Sequence, residues 1–434
     1  MTNFPRLLYY LGTAMRRLYW NEAKLRRYQE KRLRSVVKHA YDFVPFYRAR
    51  FKEAGIFPSD IKSLEDLPKV PIIRKASLAN ERPRRLISTE FDVKELRTVS
   101  TSGSTGRPFQ FYLSKNEADW RKSIYMRANI TCGQKPRDRW LAITAPYHFW
   151  ETTNVQRRLG IYAQTCVSVF NDIDEQVNLI SEAKPDVLDG YSGSILILAK
   201  EIDRRGLRTI RPRMIFGTAD LIDGASSKFI EKTFEATFFD QFGCSELDRT
   251  AWQCPEKVGY HMDMDSAIMQ FVDSEGTEVS AGEEGEIVYT SLFNYAMPFI
   301  RYAIGDIGVP SGEECSCGRT LPLMKVVEGR KDSMLVMPDG QLMSPRRFTV
   351  ALSMFKFYSY IEQFRVIQKG LDEFEIQVKS KDGSVDESTM KTELEGYMKR
   401  MFNMPNNPLT FTIKCVEDIP LSKNGKLKSV ISEL

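Results

Sequence analysis

Between residues 22 and 55 apolar positions recur three and four apart among long charged side chains. That is the spacing of an amphipathic helix; Pro45 interrupts it and Gly55 closes it, so two helices are predicted. Further on the rhythm changes. Short apolar or β-branched runs at 140–144, 166–170, 187–188 and 214–216 alternate with helix-like stretches such as 175–183 and 195–206. Strands alternating with helices across short connections predict an α/β domain with a largely parallel sheet. Residues 285–308 read as strands and turns. Beyond Asp332 the texture changes again: 364–369 and 373–379 alternate as strands, 387–401 reads as a helix and 409–416 as another strand. The predicted class is α/β, with a large multi-sheet N-terminal domain over 1–331 and a small α+β C-terminal domain over 332–434.

Length agrees with this division: at ~150 residues per domain, 434 residues make two or three domains. Apolar residues at 42% and charged residues at 27% are ordinary for a globular protein. A net charge of +5 from 62 basic and 57 acidic residues is too mild to predict a nucleic-acid partner. The charge is uneven, however. Residues 1–38 hold ten Lys or Arg against Glu22 and Glu30, interleaved with apolar residues such as Leu7, Leu11 and Trp20. This segment reads either as a pair of surface helices or as a basic amphipathic face for peripheral contact with an anionic membrane. No apolar run reaches the ~18–20 residues of a membrane span, and no signal peptide is read at the N-terminus. Seven cysteines in a large chain predict a reduced, cytoplasmic protein.

Candidate chemistry concentrates in a few places. The stretch T-V-S-T-S-G-S-T-G-R-P-F-Q-F over 98–111 packs six hydroxyl residues and two glycines between Thr98 and Gly106, then a cation. Such a loop can wrap a phosphate chain with backbone amides, hydroxyls and Arg107, or it can be a solvated turn. It does not fit the G-x-x-x-x-G-K-[ST] phosphate loop. Cys254-x6-His261 and Cys315-x-Cys317 together offer four soft or borderline donors, which suits a closed tetrahedral zinc site; the alternative is free thiols beside an ordinary histidine. Glu256, Glu313 and Glu314 are harder and fit zinc less well. Cys132, Cys166, Cys244 and Cys415 read as buried small apolar residues, Cys244 also as a candidate to line an acid pocket. The aromatics of the Ala145-Pro146-Tyr147-His148-Phe149-Trp150 segment read as pocket walls or as ordinary packing. Taken singly, Glu246 is a surface carboxylate, Asp306 a turn residue and Lys426 a hairpin lysine.

In order along the chain, these residues resemble a known set. Thr101–Pro108, T-S-G-S-T-G-R-P, resembles the phosphate loop T-S-G-[ST]-T-G-K-P of the adenylate-forming enzymes, with Arg107 in place of Lys. Gln241-Phe242-Gly243-Cys244-Ser245-Glu246 is similar to Y-G-x-[ST]-E, and Arg301-Tyr302-Ala303-Ile304-Gly305-Asp306 to Y-R-T-G-D. Gly329-Arg330-Lys331-Asp332 resembles the G-R-x-D hinge, and Pro420-Leu421-Ser422-Lys423-Asn424-Gly425-Lys426 resembles P-x-x-x-x-G-K. The opening R-L-R-S-V-V-K-H-A-Y-D-F-V-P-F-Y-R and L-P-K-V-P-I-I-R-K before the loop are similar to the phenylacetate–CoA ligase family. The D-G-Y-S-G-S stretch and the G-K-L-K-S-V-I-S ending are closest to its capsule-biosynthesis-like branch. Two positions depart: Thr218-Ala219-Asp220 stands where that family has Gly-Glu, and Ala303 stands where it has Arg.

The resemblance implies ATP-dependent activation of a small carboxylic acid to acyl-AMP, then transfer to a thiol, most simply coenzyme A. It implies that Ser102, Gly103, Ser104, Thr105, Gly106 and Arg107 hold the β,γ-phosphates, and that Glu246, in the Phe242-Gly243-x-Ser245-Glu246 motif, holds Mg²⁺. Phe242 would stack on adenine, Asp306 accept the ribose hydroxyls and Arg330 support them. Lys426, on a mobile small domain, would bridge the carboxylate and the α-phosphate. A structural zinc on Cys254, His261, Cys315 and Cys317 is also implied for some members. Two rivals stay open: the same adenylate passed to an amine or hydroxyl in envelope or polysaccharide synthesis, and a nucleotide-binding module without catalysis.

Overall fold

The computed structural model describes the chain except residues 1, 101–108, 150–151, 221, 331–334, 341, 344, 381–385, 403–407 and 421–427. The chain forms two compact units. One comprises Met1–Pro136, Glu151–Gly160 and Phe239–Val327; the other comprises Arg137–Trp150, Ile161–Phe238 and Glu328–Leu434. The fold is mixed α/β, with a large multi-stranded sheet and a separate small one.

The first unit is built on a run of mostly antiparallel strands. Their order is Ala267–Val272, Gly285–Ser291, Tyr302–Ser311, Leu323–Arg330, Tyr260–Met262, Asp248–Gln253 and Thr237–Cys244. A two-residue strand, Ile73–Arg74, adds in parallel to Tyr302 and Ala303. Helices Glu22–Phe43 and Pro45–Glu53 meet at Val44, as the proline at the first helical position requires. They bury Leu33, Val36, Val37, Phe46 and Phe51 in one core with Phe271, Tyr289 and Phe299.

Helix Lys115–Thr131 begins with a capping box between Ser114 and Glu117. It buries charge as well as apolar surface. Arg127 is fully buried and donates to both Asp265 oxygens at 2.8 Å and to Asp263. Arg17, at the end of helix Phe4–Arg17, donates to Asp265 at 2.6 Å, and Arg249 donates to Asp263 at 2.8 Å. Trp252 Nε1 also donates to Asp263, at 3.0 Å. Charges removed from water this far are tolerated because each carboxylate is held by two arginines, although Arg17 Nη2 and Arg127 Nε are left without a hydrogen-bond partner.

The basic N-terminal segment is a pair of helices whose charges are mostly engaged within the fold. Arg6 pairs with Asp119 at 2.6 Å, Arg26 with Glu30 and Glu65, and Arg34 donates to the Lys62 carbonyl at 2.6 Å. Arg32 lies 4.0 Å from the Phe293 ring centre. No helix among the described residues is long and apolar enough to cross a membrane.

The second unit holds the predicted parallel strands, in the order Gln164–Ser168, Trp140–Thr144, Val187–Tyr191 and Met214–Thr218. Helices Ile173–Ala183, Ser192–Arg204 and Gly224–Phe234 accompany them, the first and last capped by Asp172 and Asp223. The small sheet runs Thr410–Cys415, Glu373–Ser380, Ile361–Gln368, Val430–Ser432, antiparallel at its centre and parallel at both sides. Helix Glu387–Met401 contributes Met390, Leu394 and Met398 to its core with Phe348, Phe374 and Phe411. The strands expected at 364–369, 373–379 and 409–416 and the helix at 387–401 are all present.

Candidate functional site

Two backbone devices bring the carboxylates of the resembling motifs into one neighbourhood. The first is the hairpin between strands Thr237–Cys244 and Asp248–Gln253. Its register shifts between Phe242 and Gly243, and a Cβ on Gly243 would lie 2.1 Å from the Asp248 carbonyl oxygen, so glycine is required there. Asp248 takes a positive φ of 67°, which Asp tolerates better than most residues. The turn between them carries Ser245, Glu246 and Leu247. The second device is a bulge in strand Tyr302–Ser311. Glu286 pairs with Ile307 and Val288 with Ala303, so Ile304, Gly305 and Asp306 together oppose Ile287. Gly305, at φ 89°, allows this, and such a bulge re-aims the side chain that follows it.

Glu246 is 2% exposed. Tyr302 donates its hydroxyl to Glu246 Oε1 at 2.9 Å, and Lys75 Nζ lies 3.5 Å from the same oxygen. Arg121 holds the turn itself, donating to the main-chain carbonyls of Ser245 at 3.2 Å and of Glu246. Asp306 is 6% exposed. Burial pushes the Cys244 thiol well above its ordinary range, and the negative charges of both Glu246 and Asp306 add to that push. Cys244 is therefore a neutral thiol that feels the charge of both acids. Phe242 is half-buried against the main core. Both carboxylates are buried, and Glu246 has a hydroxyl and an ammonium at one oxygen. Their oxygen donors are hard, the type that a Mg²⁺ ion prefers.

Residues 102–107 and Lys426 lie outside the described residues, as does the side chain of Arg330. In the 145–150 segment, Pro146–His148 form a turn after strand Trp140–Thr144; His148 is exposed and Phe149 half-buried. Lys75, Tyr302 and Arg121 had no role in the sequence reading. Tyr302 and Lys75 stood inside motifs singled out there, but nothing local to Arg121 distinguishes it.

The second cluster is Cys254, His261, Cys315 and Cys317, whose donor atoms all lie within 4.8 Å of one another. Cys254 follows strand Asp248–Gln253, and His261 lies on the next strand. Cys315 and Cys317 sit on a turn closed by Gly318 N–H to the Cys315 carbonyl. The Cys254 and Cys315 sulfurs are 3.5 Å apart, and Cys317 Sγ is 3.3 Å from His261 Nε2. Zinc–sulfur bonds of about 2.3 Å put tetrahedral sulfurs about 3.8 Å apart, so the spacing fits that ion. His261 Nδ1 faces the Leu321 carbonyl at 3.3 Å, which turns Nε2 toward the cluster. Burial lowers the His261 pKa and favours its neutral, ligating form. Burial also raises the Cys254 thiol to about 12, whereas at Cys317 the backbone and side chain of Arg319 outweigh burial and the pKa falls. Among the other cysteines, Cys132 and Cys244 are buried as expected; Cys166 and Cys415 are half-exposed, because each lies on an outermost strand of its sheet.

The second unit contains a cavity of about 260 Å³ lined by Ser194, Lys200, Glu201, Arg204, Glu362 and Lys379 among others. Its charges pair with one another, Arg204 with Glu201 and Lys379 with Glu362. Such walls select no ligand charge.

No family model matches the chain. It is 28% identical over 384 residues to the phenylacetate–coenzyme A ligase of Thermus thermophilus, covering 86% of this chain and 82% of that protein. It is 29% identical over 367 residues to the Pseudomonas putida enzyme of the same name, covering 82% and 81%. Among solved structures, 2-hydroxyisobutyryl-CoA ligase with 2-HIB-AMP aligns at a TM-score of 0.80 and 22% identity, over 96% of this chain and 91% of that one. An anthranilate CoA ligase with anthranoyl-AMP aligns at a TM-score of 0.59 and 15% identity, over 80% and 68%.

Proposed function

We propose that this relative of the phenylacetate–coenzyme A ligases, which has the fold of the adenylate-forming ligases, is an ATP-dependent acid–CoA ligase. A small carboxylic acid attacks the α-phosphate of ATP, giving acyl-AMP and pyrophosphate, and coenzyme A then takes the acyl group as a thioester. The observation that carries this reading is that Glu246 and Asp306 are both buried and both act on the Cys244 thiol, each set by the glycine-dependent turn or bulge of its motif.

In this reading the chemistry divides among residues as follows. Attack on phosphorus brings two anions together, so the site must supply cations and fixed donors. Ser102, Gly103, Ser104, Thr105, Gly106 and Arg107 cradle the β,γ-phosphates. Glu246 holds Mg²⁺, which neutralises the phosphate chain when bound. Phe242 offers a half-exposed ring to adenine, and Asp306 accepts the ribose hydroxyls with Arg330 in support. Lys426 screens the carboxylate from the α-phosphate. Residues 332–434 act as a mobile domain that brings Lys426 in for the first half-reaction and withdraws it for the second, turning about 329–332. Cys254, His261, Cys315 and Cys317 hold a structural zinc: every donor position is filled by the protein, which leaves none for substrate.

Acid-dependent exchange of labelled pyrophosphate into ATP across a panel of small acids tests the first half-reaction. Adding CoA to the best acid and assaying thioester tests the second. Exchange with at least one acid, followed by CoA-dependent thioester, is expected. No exchange with any acid supports a binding module instead, and exchange without thioester supports a different acceptor.

A further inference from the structure

Lys75 ends the L-P-K-V-P-I-I-R-K stretch. The fold places it with care. Strand Ile73–Arg74 pairs in parallel with Tyr302 and Ala303, and Ile73 N–H donates to the Arg301 carbonyl at 2.8 Å. The Arg74 side chain goes to Glu286, with contacts of 2.5 and 2.9 Å. The next residue, Lys75, goes to Glu246. One strand pairing therefore sets both partners of that carboxylate, Tyr302 and Lys75, on the same oxygen.

The pair does not look like the permanent ion pairs of the same unit. Those are arginines, closed to 2.8 Å at Arg127–Asp265 and 2.6 Å at Arg17–Asp265, with side chains at most 6% exposed. Lys75–Glu246 is open at 3.5 Å, and the lysine side chain is 23% exposed where the carboxylate is 3% exposed. A charge-assisted N–H···O bond closes to about 2.7–2.9 Å, so this ammonium neutralises Glu246 without being tightly bonded to it. A flexible lysine is also the side chain suited to leaving such a position. Both neighbours use Oε1, which leaves Oε2 for a further partner.

We propose that Lys75 is a placeholder cation. In the nucleotide-free protein it compensates the buried Glu246 charge. When the divalent cation arrives with ATP, that compensation is taken over, and the ammonium moves from the carboxylate to the incoming phosphate chain. The exchange keeps a buried carboxylate from ever standing alone, and it adds one positive charge to the substrate as the metal binds. This rests on the reading of Glu246 as the metal-holding carboxylate.

The test is equilibrium binding of Mn²⁺, a spin probe for the site, measured by electron paramagnetic resonance on the full-length protein. Removing Lys75 removes a competitor, so Lys75→Met without nucleotide should bind Mn²⁺ about tenfold more tightly than wild type. Lys75→Arg should stay near wild type, and adding Glu246→Gln to Lys75→Met should abolish the gain. Affinity for a non-hydrolysable ATP analogue should move the opposite way, weakening about tenfold in Lys75→Met. A lysine with a purely structural role would not strengthen one ligand and weaken the other. If Lys75→Met does not fold, Lys75→Gln reads the same competition. Unchanged Mn²⁺ affinity in the folded neutral variant, with Mn²⁺·analogue binding lost in Glu246→Gln, overturns the placeholder and spares the Glu246 assignment. Mn²⁺·analogue binding that survives Glu246→Gln overturns both.

Discussion

Cys254, His261, Cys315 and Cys317 stand close enough for one tetrahedral ion to bind all four donors. The protein purified without added metal should therefore contain about one zinc per chain by elemental analysis. Cys317→Ser should lower the melting temperature by several degrees while the folded fraction keeps most of its adenylating activity, because a closed site stabilises the fold rather than the reaction. Zinc far below one equivalent, with freely titrating thiols and no loss of stability, contradicts this. The motif Gly243-x-x-Glu246 is equally a matter of single residues. Its glycine is dictated by backbone approach; Glu246 was singled out only by the resemblance of its motif, since taken alone it read as a surface carboxylate. Lys75 was not singled out. Its local sequence gives it no role beyond closing the L-P-K-V-P-I-I-R-K stretch.

At the scale of elements, helix Lys115–Thr131 escaped the hydrophobic pattern for a physical reason. Glu117, Asp119, Lys122 and Arg127 are all buried along with Trp120, Ile124 and Met126, so no polar stripe marks a solvent face. What holds the helix is the charge cluster shared with Arg17 and the turn after strand Tyr260–Met262. Burial alone would raise the Asp265 pKa; Arg127 and Arg17 outweigh it and hold it at about 2, below the ordinary 3.8. A carboxylate with a depressed folded pKa stabilises the protein above its unfolded pKa, and loses that contribution as pH falls through the folded one. Asp265→Asn should therefore cost about 3–5 kcal/mol at pH 7, the range for a broken buried pair. The difference from wild type should shrink as pH drops from about 4 toward 2. Urea unfolding of both proteins at several pH values measures this, and a difference that does not change with pH contradicts it.

At the scale of the whole molecule, the proposed division of labour makes the two half-reactions separable. Lys426→Ala should slow adenylation ~10²–10⁴-fold, a usual loss for a group that stabilises transition-state charge. Supplied with acyl-AMP and CoA, the same variant should form thioester at nearly the normal rate, because the repulsion between carboxylate and phosphate is gone by then. Equal slowing of both steps argues against a lysine that is withdrawn. The sequence by itself determined the chemistry available and its order along the chain. It also determined the elements whose period is unmistakable: the parallel strands around Trp140–Thr144 and Val187–Tyr191, and the strands and helix of the small sheet region. The terminating glycine Gly55 was within its reach because a positive φ after a helix is a local demand. Which distant residues meet was decided only by the tertiary structure. Arg17 reaches Asp265, and Lys75 reaches Glu246, through strand pairings and helix docking that depend on the register of the whole sheet. No local pattern records that register, since the same short strand Ile73–Arg74 could pair elsewhere; its pairing with Tyr302 and Ala303 alone puts an ammonium beside the buried carboxylate.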